Sequence, residues 1–545
     1  MTNAKESQST SKLSRRALIA SMGLTGAGML VGRFSPGTQL AFAKPLPLEW
    51  KVVTDFGATG DGSTDDTVAI QSALNATTSG GTVYFPQGTY LISSQLTVIG
   101  KEIHIFATGA AIVKEASVLG VPILKLSQAH GSTITGLNCQ GAETYNSFAG
   151  ASNLFNAFIQ LDRCNQAVIS GCKVLDKTYP FLLSSCQDCR VSDCFIQGFL
   201  NIGKAGANFC SCCHISGGAR NSVIGLSGKD MGSGVLVGLE GADHHITDCF
   251  FQNMWDNGVY VSSGKGILID HVTVIQTAGG GIKVRGQKHI VSHCLVKDCV
   301  VGYTLTGNGA TPDSLGYNGH GTLLEGCVAE NCLRDGILMN TQDGYNAREF
   351  KILNNTIMNS AIEGGGYAGI RMTTGPGTEV SGNTFSKCSG SYGILITGPL
   401  STPVSGLKIT NNSVALTKEG IRLQYATHST VIGNHVQDIE SYGMHLRYCT
   451  DCVINGNIGR EQVLSGLIRC LTSDGCSSNT IIGNRGNAMN ISKDSNLLFA
   501  NQPGDVNFTN NISSTPLYVG QQALVSGESY MAVGVTSPAD WKKLS

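Results

Sequence analysis

A short phrase recurs through the middle of the chain, and it limits the available folds more than any other feature. The phrase is a glycine followed by a strand in which apolar residues alternate with other residues. It is found as GVYVSS at Gly258, GIKVRG at Gly281, GYTLTG at Gly302, GILMNT at Gly336, GIRMTT at Gly369, GILITG at Gly393, GIRLQY at Gly420 and GMHLRY at Gly443. Successive gaps are 23, 21, 34, 33, 24, 27 and 23 residues. A unit of about two dozen residues cannot bury its own apolar face, so the units must stack.

A second position recurs once per unit, after an apolar pair, and predicts a vertical ladder through the stack. Its members are Cys172, Cys194, Cys249, His271, Cys294, Cys327, Asn355, Asn383, Asn412, Asn434, Asn457 and Asn484. Stacked asparagines can hydrogen-bond to neighbouring turns, and cysteine is a small residue that is easily buried. We therefore expect most of the 19 cysteines to be packing residues rather than disulfides. The group Cys210, Cys212, Cys213 and His214 lacks a second ligand pair at zinc-finger spacing, and no metal-ligand set is predicted.

Composition supports many short strands joined by tight turns. The chain has 545 residues, with 70 glycines, 13 prolines and only 14% charged residues. Such a chain has few of the charge pairs that favour helices. The formal net charge of −1 argues against extensive nucleic-acid binding.

The first residues have the pattern of an export signal. Arg15 and Arg16 precede a weakly apolar stretch, and the small residues at 41–43 fit a cleavage site. This segment resembles a twin-arginine signal peptide. We expect residues 1–43 to be removed, leaving a protein without a stable membrane span that is secreted, cell-surface or periplasmic.

The segment that follows, DFGATGDGSTDDTVAIQSAL at 55–74, predicts the start of the solenoid. Its glycines permit tight turns, and Thr64 or Asp65 can cap a helix that begins near Asp66. The amphipathic TVAIQSALN would then cover the open end of the first unit. Asp61, Asp65 and Asp66 are therefore interpreted as structural residues rather than catalytic ones.

This opening, followed by GGTVYFPQGTYLI, resembles that of the pectate-lyase-like superfamily, which includes polygalacturonase-like enzymes, epimerase-like proteins and phage tailspikes. The resemblance implies an all-β fold, a right-handed parallel β-helix, and the unit pattern extends it over about residues 50–490. We predict a β-helix over residues 44–500 and a small C-terminal β-hairpin appendage over 501–545. The tailspike resemblance implies that the appendage caps the helix or supports a homotrimer.

The candidate site lies on the outward face of the recurring strand, because alternate residues of a strand point to opposite sides. The first outward row is Tyr260, Lys283, Thr304, Leu338, Arg371, Leu395, Arg422 and His445. The second includes Arg285, Gln424 and Arg447, and Asp256, Asp335, Tyr392, Glu419 and Tyr442 border the rows. Arginines bind uronate carboxylates through paired donors, and aromatic rings stack on sugar faces. The partner predicted for this surface is a polysaccharide.

Two chemistries remain open at this surface. A lyase needs a base beside a uronate carboxylate and a cation that stabilises the developing enolate. A glycoside hydrolase needs two carboxylates about 5–10 Å apart. The catalytic candidates are Asp335, Arg371, Glu419, Arg422 and His445. The substrate-binding candidates are Asp256, Tyr260, Lys283, Arg285, Tyr392, Gln424 and Arg447.

Elimination on an acidic glycan is the first hypothesis and hydrolysis the second. A uronate epimerase or a non-catalytic glycan-binding surface protein are further alternatives. The resemblance to pectate lyases implies a Ca²⁺ cofactor, but the sequence has no obvious carboxylate cluster for one. It also lacks the NTD, paired DD and RIK motifs of polygalacturonases.

Overall fold

The chain winds into stacked coils whose strands form three long parallel sheets. The computed structural model describes residues 50–114, 121–141, 157–177, 179–198, 210–307, 319–340, 347–388, 392–463, 465–486, 489–491, 496–498, 522–525, 528–532, 536–537 and 540–543. Each coil contributes one strand to each sheet, and every strand pairs in parallel with the equivalent strand of the next coil. The predicted right-handed parallel β-helix is confirmed.

Sheet 1 has eighteen strands, and most of them place a single buried apolar residue between two outward residues. The strands are Trp50–Val52, Gly81–Phe85, Ile103–Ala107, Thr133–Thr135, Val168–Ser170, Arg190–Ser192, Ser222–Ile224, His245–Thr247, Leu268–Asp270, Ile290–Ser292, Leu323–Glu325, Lys351–Leu353, Glu379–Ser381, Lys408–Thr410, Thr430–Ile432, Val453–Asn455, Thr480–Ile482 and Asn496–Leu498. Because successive side chains of a strand point to opposite faces, the central residue of each three-residue strand enters the core and its two neighbours point outward.

Sheet 2 follows sheet 1 in each coil and has sixteen strands. The strands are Asp61–Asp65, Gly88–Ile92, Ala110–Lys114, Asn138–Gln140, Lys173–Leu175, Phe195–Gln197, Ser227–Lys229, Phe250–Met254, Thr273–Thr277, Leu295–Lys297, Val328–Glu330, Thr356–Met358, Thr384–Ser386, Ser413–Thr417, His435–Ile439 and Ile458–Val463. Its central residues, such as Val296 and Phe385, are buried.

Sheet 3 carries the recurring phrase and also has sixteen strands. The strands are Leu96–Ile99, Leu124–Ser127, Ala157–Asp162, Tyr179–Ser184, Ser211–Ser216, Ser233–Gly238, Val259–Val261, Gly280–Arg285, Val301–Thr306, Ile337–Met339, Ala368–Met372, Tyr392–Thr397, Glu419–Gln424, Tyr442–Arg447, Gly466–Cys470 and Met489–Ile491. The glycine of the phrase is required by close packing. A Cβ atom at Gly420 would lie 2.4 Å from the carbonyl oxygen of Gly443 in the next coil.

A helix over Thr67–Ala76 lies at the N-terminal end of the solenoid, as predicted. Gln71 exchanges two side-chain hydrogen bonds of 2.9 Å with the backbone of Thr97 in the first strand of sheet 3. The N-cap position is Asp66, whose carboxylate accepts from the amides of Thr59 and Gly60 rather than from the helix. Of the two predicted caps, Asp65 accepts from the amide of Thr67, the first helical residue, at 3.0 Å. Short 3-10 helices occur at Val53–Phe56 and Thr472–Asp474.

The asparagine ladder is confirmed by a continuous chain of buried hydrogen bonds. The Oδ1 atom of each asparagine accepts from the backbone amide of the ladder residue in the preceding coil, at 2.9–3.0 Å, from Asn355, which accepts from Cys327, through Asn484. Each Nδ2 group donates to a backbone carbonyl of an earlier coil, for example Asn434 to Ile409 at 2.9 Å. The ladder therefore satisfies polar groups that stacking would otherwise bury without partners.

All 19 cysteines are buried free thiols, which agrees with the interpretation that they are packing residues. One predicted ladder member is wrong. Val272, not His271, is the buried residue of its coil, while His271 lies one residue earlier at an exposed corner with φ of 51°. In this coil the apolar run at 267–269 contains two possible apolar pairs. The second pair, Leu268 and Ile269, is the one that precedes the ladder position at Val272.

Three smaller two-stranded pairings join neighbouring coils, at Gly241–Ala242 with Gly264–Lys265, Gly319–His320 with Ala347–Arg348, and Val404–Ser405 with Ala426–Thr427. Near the C-terminus, Gln522–Val525, Glu528–Ala532 and Trp541–Lys543 form an antiparallel sheet. The predicted signal peptide at 1–43 lies outside the described residues. Among the described residues, no helix is long and apolar enough to cross a membrane.

Candidate functional site

The outward row of sheet 3 has the predicted order. Strand register pairs Tyr260 with Lys283, then Thr304, Leu338, Arg371, Leu395, Arg422 and His445 in successive coils. The next member, Arg469, was not predicted. Arginines thus occur at every second coil from Arg371 onward, with Leu395 and His445 between them.

The first arginine of this row, Arg371, forms an ion pair with Asp335. Its Nε donates to both carboxylate oxygens at 2.9 and 3.0 Å, and Nη2 donates to Oδ2 at 2.7 Å. The amide of Ala368 donates to the same carboxylate at 3.0 Å. The Asp335 side chain is 0% exposed, so burial raises the pKa of its carboxyl while Arg371 opposes that rise. We call Asp335 and Arg371 the closed pair, because three hydrogen bonds join the two side chains.

Two coils further on, Arg422 is held more loosely. Its Nη1 donates to the hydroxyl of Tyr392 at 3.0 Å and lies 3.5 Å from the Glu419 carboxylate. Its Nε is buried and has no hydrogen-bond partner among the described residues. A buried N–H without an acceptor is costly unless a ligand or ordered water completes it.

His445 follows Arg422 in the row and also has an unmet hydrogen bond. Its Nδ1 lies 3.3 Å from the Glu419 carboxylate, which can only accept, so Nδ1 must carry the proton. In the neutral ring the lone pair is then on Nε2, which is buried and has no partner among the described residues. Asp474 lies 3.9 Å from Nε2, beyond hydrogen-bond distance. We call Glu419, Arg422 and His445 the open cluster.

The last arginine of the row closes the cluster on its C-terminal side. Arg469 donates to Asp474 from Nε at 2.8 Å and from Nη2 at 3.3 Å. Its Nη1 donates to the hydroxyl of Tyr442 at 3.2 Å, and the Tyr442 ring lies 5.3 Å from that of His445. Arg469 therefore holds Asp474 on the side of the cluster that faces His445. The described hydrogen bonds of Arg469 do not include Glu419.

A second group of predicted residues lies toward the N-terminal end of the same row. The Lys283 ammonium is 5.1 Å from the centre of the Tyr260 ring, and the Arg285 guanidinium is 5.7 Å from it. Burial raises the pKa of the neighbouring Asp256 carboxyl, and Lys283 opposes that rise. We call Asp256, Tyr260, Lys283 and Arg285 the platform. It combines an aromatic face with two cations.

The remaining candidates lie apart from these groups or apart from each other. Gln424 and Arg447 are neighbours in the second row, where Arg447 stands over the Tyr448 ring at 5.6 Å. Tyr448 stacks on Tyr425 with ring centres 4.7 Å apart. Asp335 and Glu419 are separated by three coils, or about 14 Å, so they are not a carboxylate pair.

Sequence reasoning missed Arg469 and Asp474. A signal for Arg469 was present, because GLIRC begins at Gly466, which is 23 residues after Gly443 and fits the repeat. Asp474 had no such signal, since it lies in the 3-10 helix after that strand. Its approach to His445 depends on the length of the coil rather than on a motif.

The described carboxylates around the row do not suit calcium. Ca²⁺ takes six to eight oxygen ligands and usually several carboxylates. Here Asp335 faces Arg371, Asp474 faces Arg469, and Glu419 faces Arg422 and His445. The Ca²⁺ cofactor that the family resemblance implied is therefore not supported by these residues, and no chemical step is assigned to it.

Comparison with protein families agrees with this architecture. A family model described as rhamnogalacturonase A/epimerase, pectate lyase-like, matches residues 50–182. A second, described as a right-handed β-helix region, matches residues 233–398 and 344–512, about half of the chain. The chain belongs to the right-handed β-helix family. Its N-terminal part is pectate-lyase-like, as the opening motif predicted.

Curated relatives match only part of this β-helix protein. Alginate lyase 7 of Azotobacter vinelandii is 38% identical over 102 residues, which is 17% of this chain and 11% of the relative. Mannuronan C5-epimerase AlgE2 of the same organism is 36% identical over 104 residues, 17% of this chain and 10% of the relative. Rhamnogalacturonase A of Aspergillus niger is 25% identical over 271 residues, 44% of this chain and 58% of the relative.

Among solved structures, the A-module of mannuronan C-5 epimerase AlgE6 from Azotobacter vinelandii is similar at a TM-score of 0.43 and 15% identity. The match covers 75% of this chain and 99% of the module.

Proposed function

We propose that this β-helix protein is a lyase that cleaves a uronate-containing polysaccharide by β-elimination at the open cluster. One observation carries the proposal. Among the residues that the structure describes, Arg422 Nε is a buried donor without an acceptor and His445 Nε2 is a buried atom without a partner, on adjacent coils of one outward row. A uronate presents the matching groups, because its carboxylate accepts hydrogen bonds and the neighbouring C5 carries a removable proton.

Each residue of the open cluster then has a distinct role. Arg422 binds the uronate carboxylate and stabilises the negative charge that develops on it when the C5 proton leaves. His445 takes that proton on Nε2, and Glu419 holds the ring through Nδ1, as a carboxylate orients a catalytic histidine elsewhere. Asp474, 3.9 Å from Nε2, favours the imidazolium that forms.

The leaving group also needs a proton when the bond between C4 and its glycosidic oxygen breaks. The Tyr392 oxygen accepts from Arg422 Nη1 at 3.0 Å, which leaves its own O–H available as a donor. We assign this role to Tyr392, an edge-row neighbour of Glu419. The electron pair of the C5–H bond becomes the C4=C5 double bond, and the leaving oxygen departs as a hydroxyl.

Epimerisation is the second candidate, because it begins with the same proton removal at C5. The hydroxyl of Tyr442, whose ring lies beside His445, supplies a further proton carrier. A relative that is 36% identical over 17% of this chain is named as a mannuronan C5-epimerase. Hydrolysis is less favoured, since Asp474 accepts two hydrogen bonds from Arg469 and Glu419 faces both Arg422 and His445.

One panel assay separates these reactions. The purified protein is incubated in D₂O with alginate, polygalacturonate, other polyuronates and a neutral glucan as control. Elimination gives chain ends that absorb in the near ultraviolet. Epimerisation gives deuterium at C5 without new chain ends, and hydrolysis gives reducing ends without absorbance. New ends without absorbance on a polyuronate would overturn the lyase proposal.

We further propose that the protein is exported through the twin-arginine pathway after recognition of Arg15 and Arg16, with removal of residues 1–43. The support is the sequence pattern alone. Mass spectrometry of the exported protein should find an N-terminus at Lys44, and replacement of both arginines by lysine should retain the precursor. The boundaries at 44–500 and 501–545 and the homotrimer stay predictions, which limited proteolysis and light scattering test.

A further inference from the structure

A second cluster of chemically active side chains lies on the outside of sheet 1, away from the outward row of sheet 3. Asp270 ends one strand of sheet 1, and Ser292 ends the next. Each strand is followed by a histidine, His271 and His293 respectively. The ligand atoms of Asp270, His271 and His293 all lie within 4.8 Å of one another.

The geometry of the three side chains is convergent. His271 Nδ1 lies 2.8 Å from one Asp270 oxygen, and His293 Nδ1 lies 3.0 Å from the other. The two imidazole rings stack with centres 5.1 Å apart and an angle of 23° between their planes. The hydroxyl of Ser292 donates to the Asp270 carboxylate at 2.7 Å, so the carboxylate is oriented from a second direction.

The backbone at these two corners is compatible with histidine. His271 and His293 have φ values of 51° and 50°, in the left-handed region where histidine, asparagine and aspartate are enriched among the residues other than glycine. The equivalent corners of nearby coils hold Asp248 before them and Gly326 after them. The stacking of the coils therefore places two imidazole rings on adjacent corners, where both reach one carboxylate.

We propose that Asp270, His271 and His293 form a binding site for a borderline divalent transition-metal ion of the Zn²⁺ class. Two imidazole nitrogens and one carboxylate are the donor set that such ions prefer, whereas Ca²⁺ prefers oxygen alone. The metal takes the place of the two Nδ1 protons, and each neutral ring carries its proton on Nε2 instead. Water completes the coordination, since both histidines are exposed.

The site joins two adjacent coils, so a bound metal stabilises the solenoid by preferring the folded chain. This inference does not depend on the function proposed for sheet 3.

Calorimetric titration of the untagged full chain with ZnCl₂ tests the site. We expect one Zn²⁺ per chain, and His271→Asn or His293→Asn should weaken binding by at least about tenfold. Asparagine suits the left-handed corner, so the backbone is preserved in both variants. Zn²⁺ should raise the melting temperature of the parent but of neither variant.

His428→Asn is the matched control. His428 also occupies a left-handed corner, with φ of 47°, and lies 3.8 Å from Asp451. Among the described residues, His428 belongs to no group of three potential metal ligands, so its replacement should leave Zn²⁺ binding unchanged. Absence of Zn²⁺ binding by the parent, or equal binding by all three variants, would overturn the proposal.

Discussion

The closed pair and the open cluster use the same kinds of residue on the same row, yet they differ in what they leave unsatisfied. Asp335 and Arg371 complete each other with three hydrogen bonds, and the carboxylate is 0% exposed. In the open cluster Arg422 Nε and His445 Nε2 remain without partners among the described residues. A satisfied buried ion pair holds a structure in place, whereas unsatisfied groups are ready for a ligand. An arginine in the outward row is therefore not by itself evidence of catalysis.

The largest expected effect concerns the proposed base. His445→Gln should lower the rate of elimination by about 100-fold to 10,000-fold, because general-base catalysis contributes that much. The free energy of unfolding should fall only modestly, because His445 is largely buried but glutamine retains an N–H donor for the Glu419 carboxylate. Initial rates of ultraviolet absorbance and a urea titration measure the two quantities. A variant that retains more than a tenth of the parent rate would remove His445 from the mechanism.

The closed pair should respond in the opposite way. Arg371→Ala leaves the buried Asp335 carboxylate without its partner and should destabilise the fold by about 3–5 kcal/mol. The double variant Asp335→Leu with Arg371→Met removes both charges and should recover most of that loss. Urea unfolding of both proteins gives the comparison. Equal loss in the single and double variants would show that the pair matters through packing rather than charge.

Acid pH should affect folding separately from catalysis. Burial lowers the pKa of His244 and of His289 from 6.5 to about 4. Unfolded chains bind more protons than the folded protein between these values, so stability should fall as the pH drops from about 6.5 to about 4. His289→Asn removes one of these titrating groups and should therefore flatten the dependence. Asparagine is chosen because Asn221 occupies the equivalent buried position of an earlier coil. Unfolding midpoints across the pH range test this, and an unchanged slope would exclude His289 as a cause.

The smallest effect is expected at the platform. Lys283→Ala removes a cation from the Tyr260 ring and a charge from the surface, which should weaken polyuronate binding by about two- to fivefold. The difference should shrink at high salt, because exposed charges are screened. Lys351→Ala, on the outside of sheet 1, is the control. Binding isotherms at two salt concentrations distinguish an electrostatic contribution from none.

The sequence allowed the fold and the outward row to be predicted because both follow from local periodicity. Alternation along GIRLQY places Arg422 outward, and the repeat length aligns it with His445. The difference between Arg371 and Arg422 could not be predicted in this way. It depends on whether a carboxylate from another coil reaches the guanidinium, as Asp335 does across 36 residues. Arg371 points outward, as the alternation predicts, and its guanidinium pairs with a buried carboxylate.

The most direct test of the account compares two arginines of the same row, Arg371→Ala and Arg422→Ala, by turnover of a polyuronate per folded molecule. We predict that Arg422→Ala loses at least about tenfold in turnover per folded molecule, or about 1.4 kcal/mol. Its free energy of unfolding should fall less than that of Arg371→Ala, because His445 still faces the Glu419 carboxylate. Arg371→Ala should keep the parent turnover once the rate is normalised to the folded fraction. If Arg371→Ala is folded but inactive while Arg422→Ala is active, the catalytic site lies at the closed pair and the account is wrong.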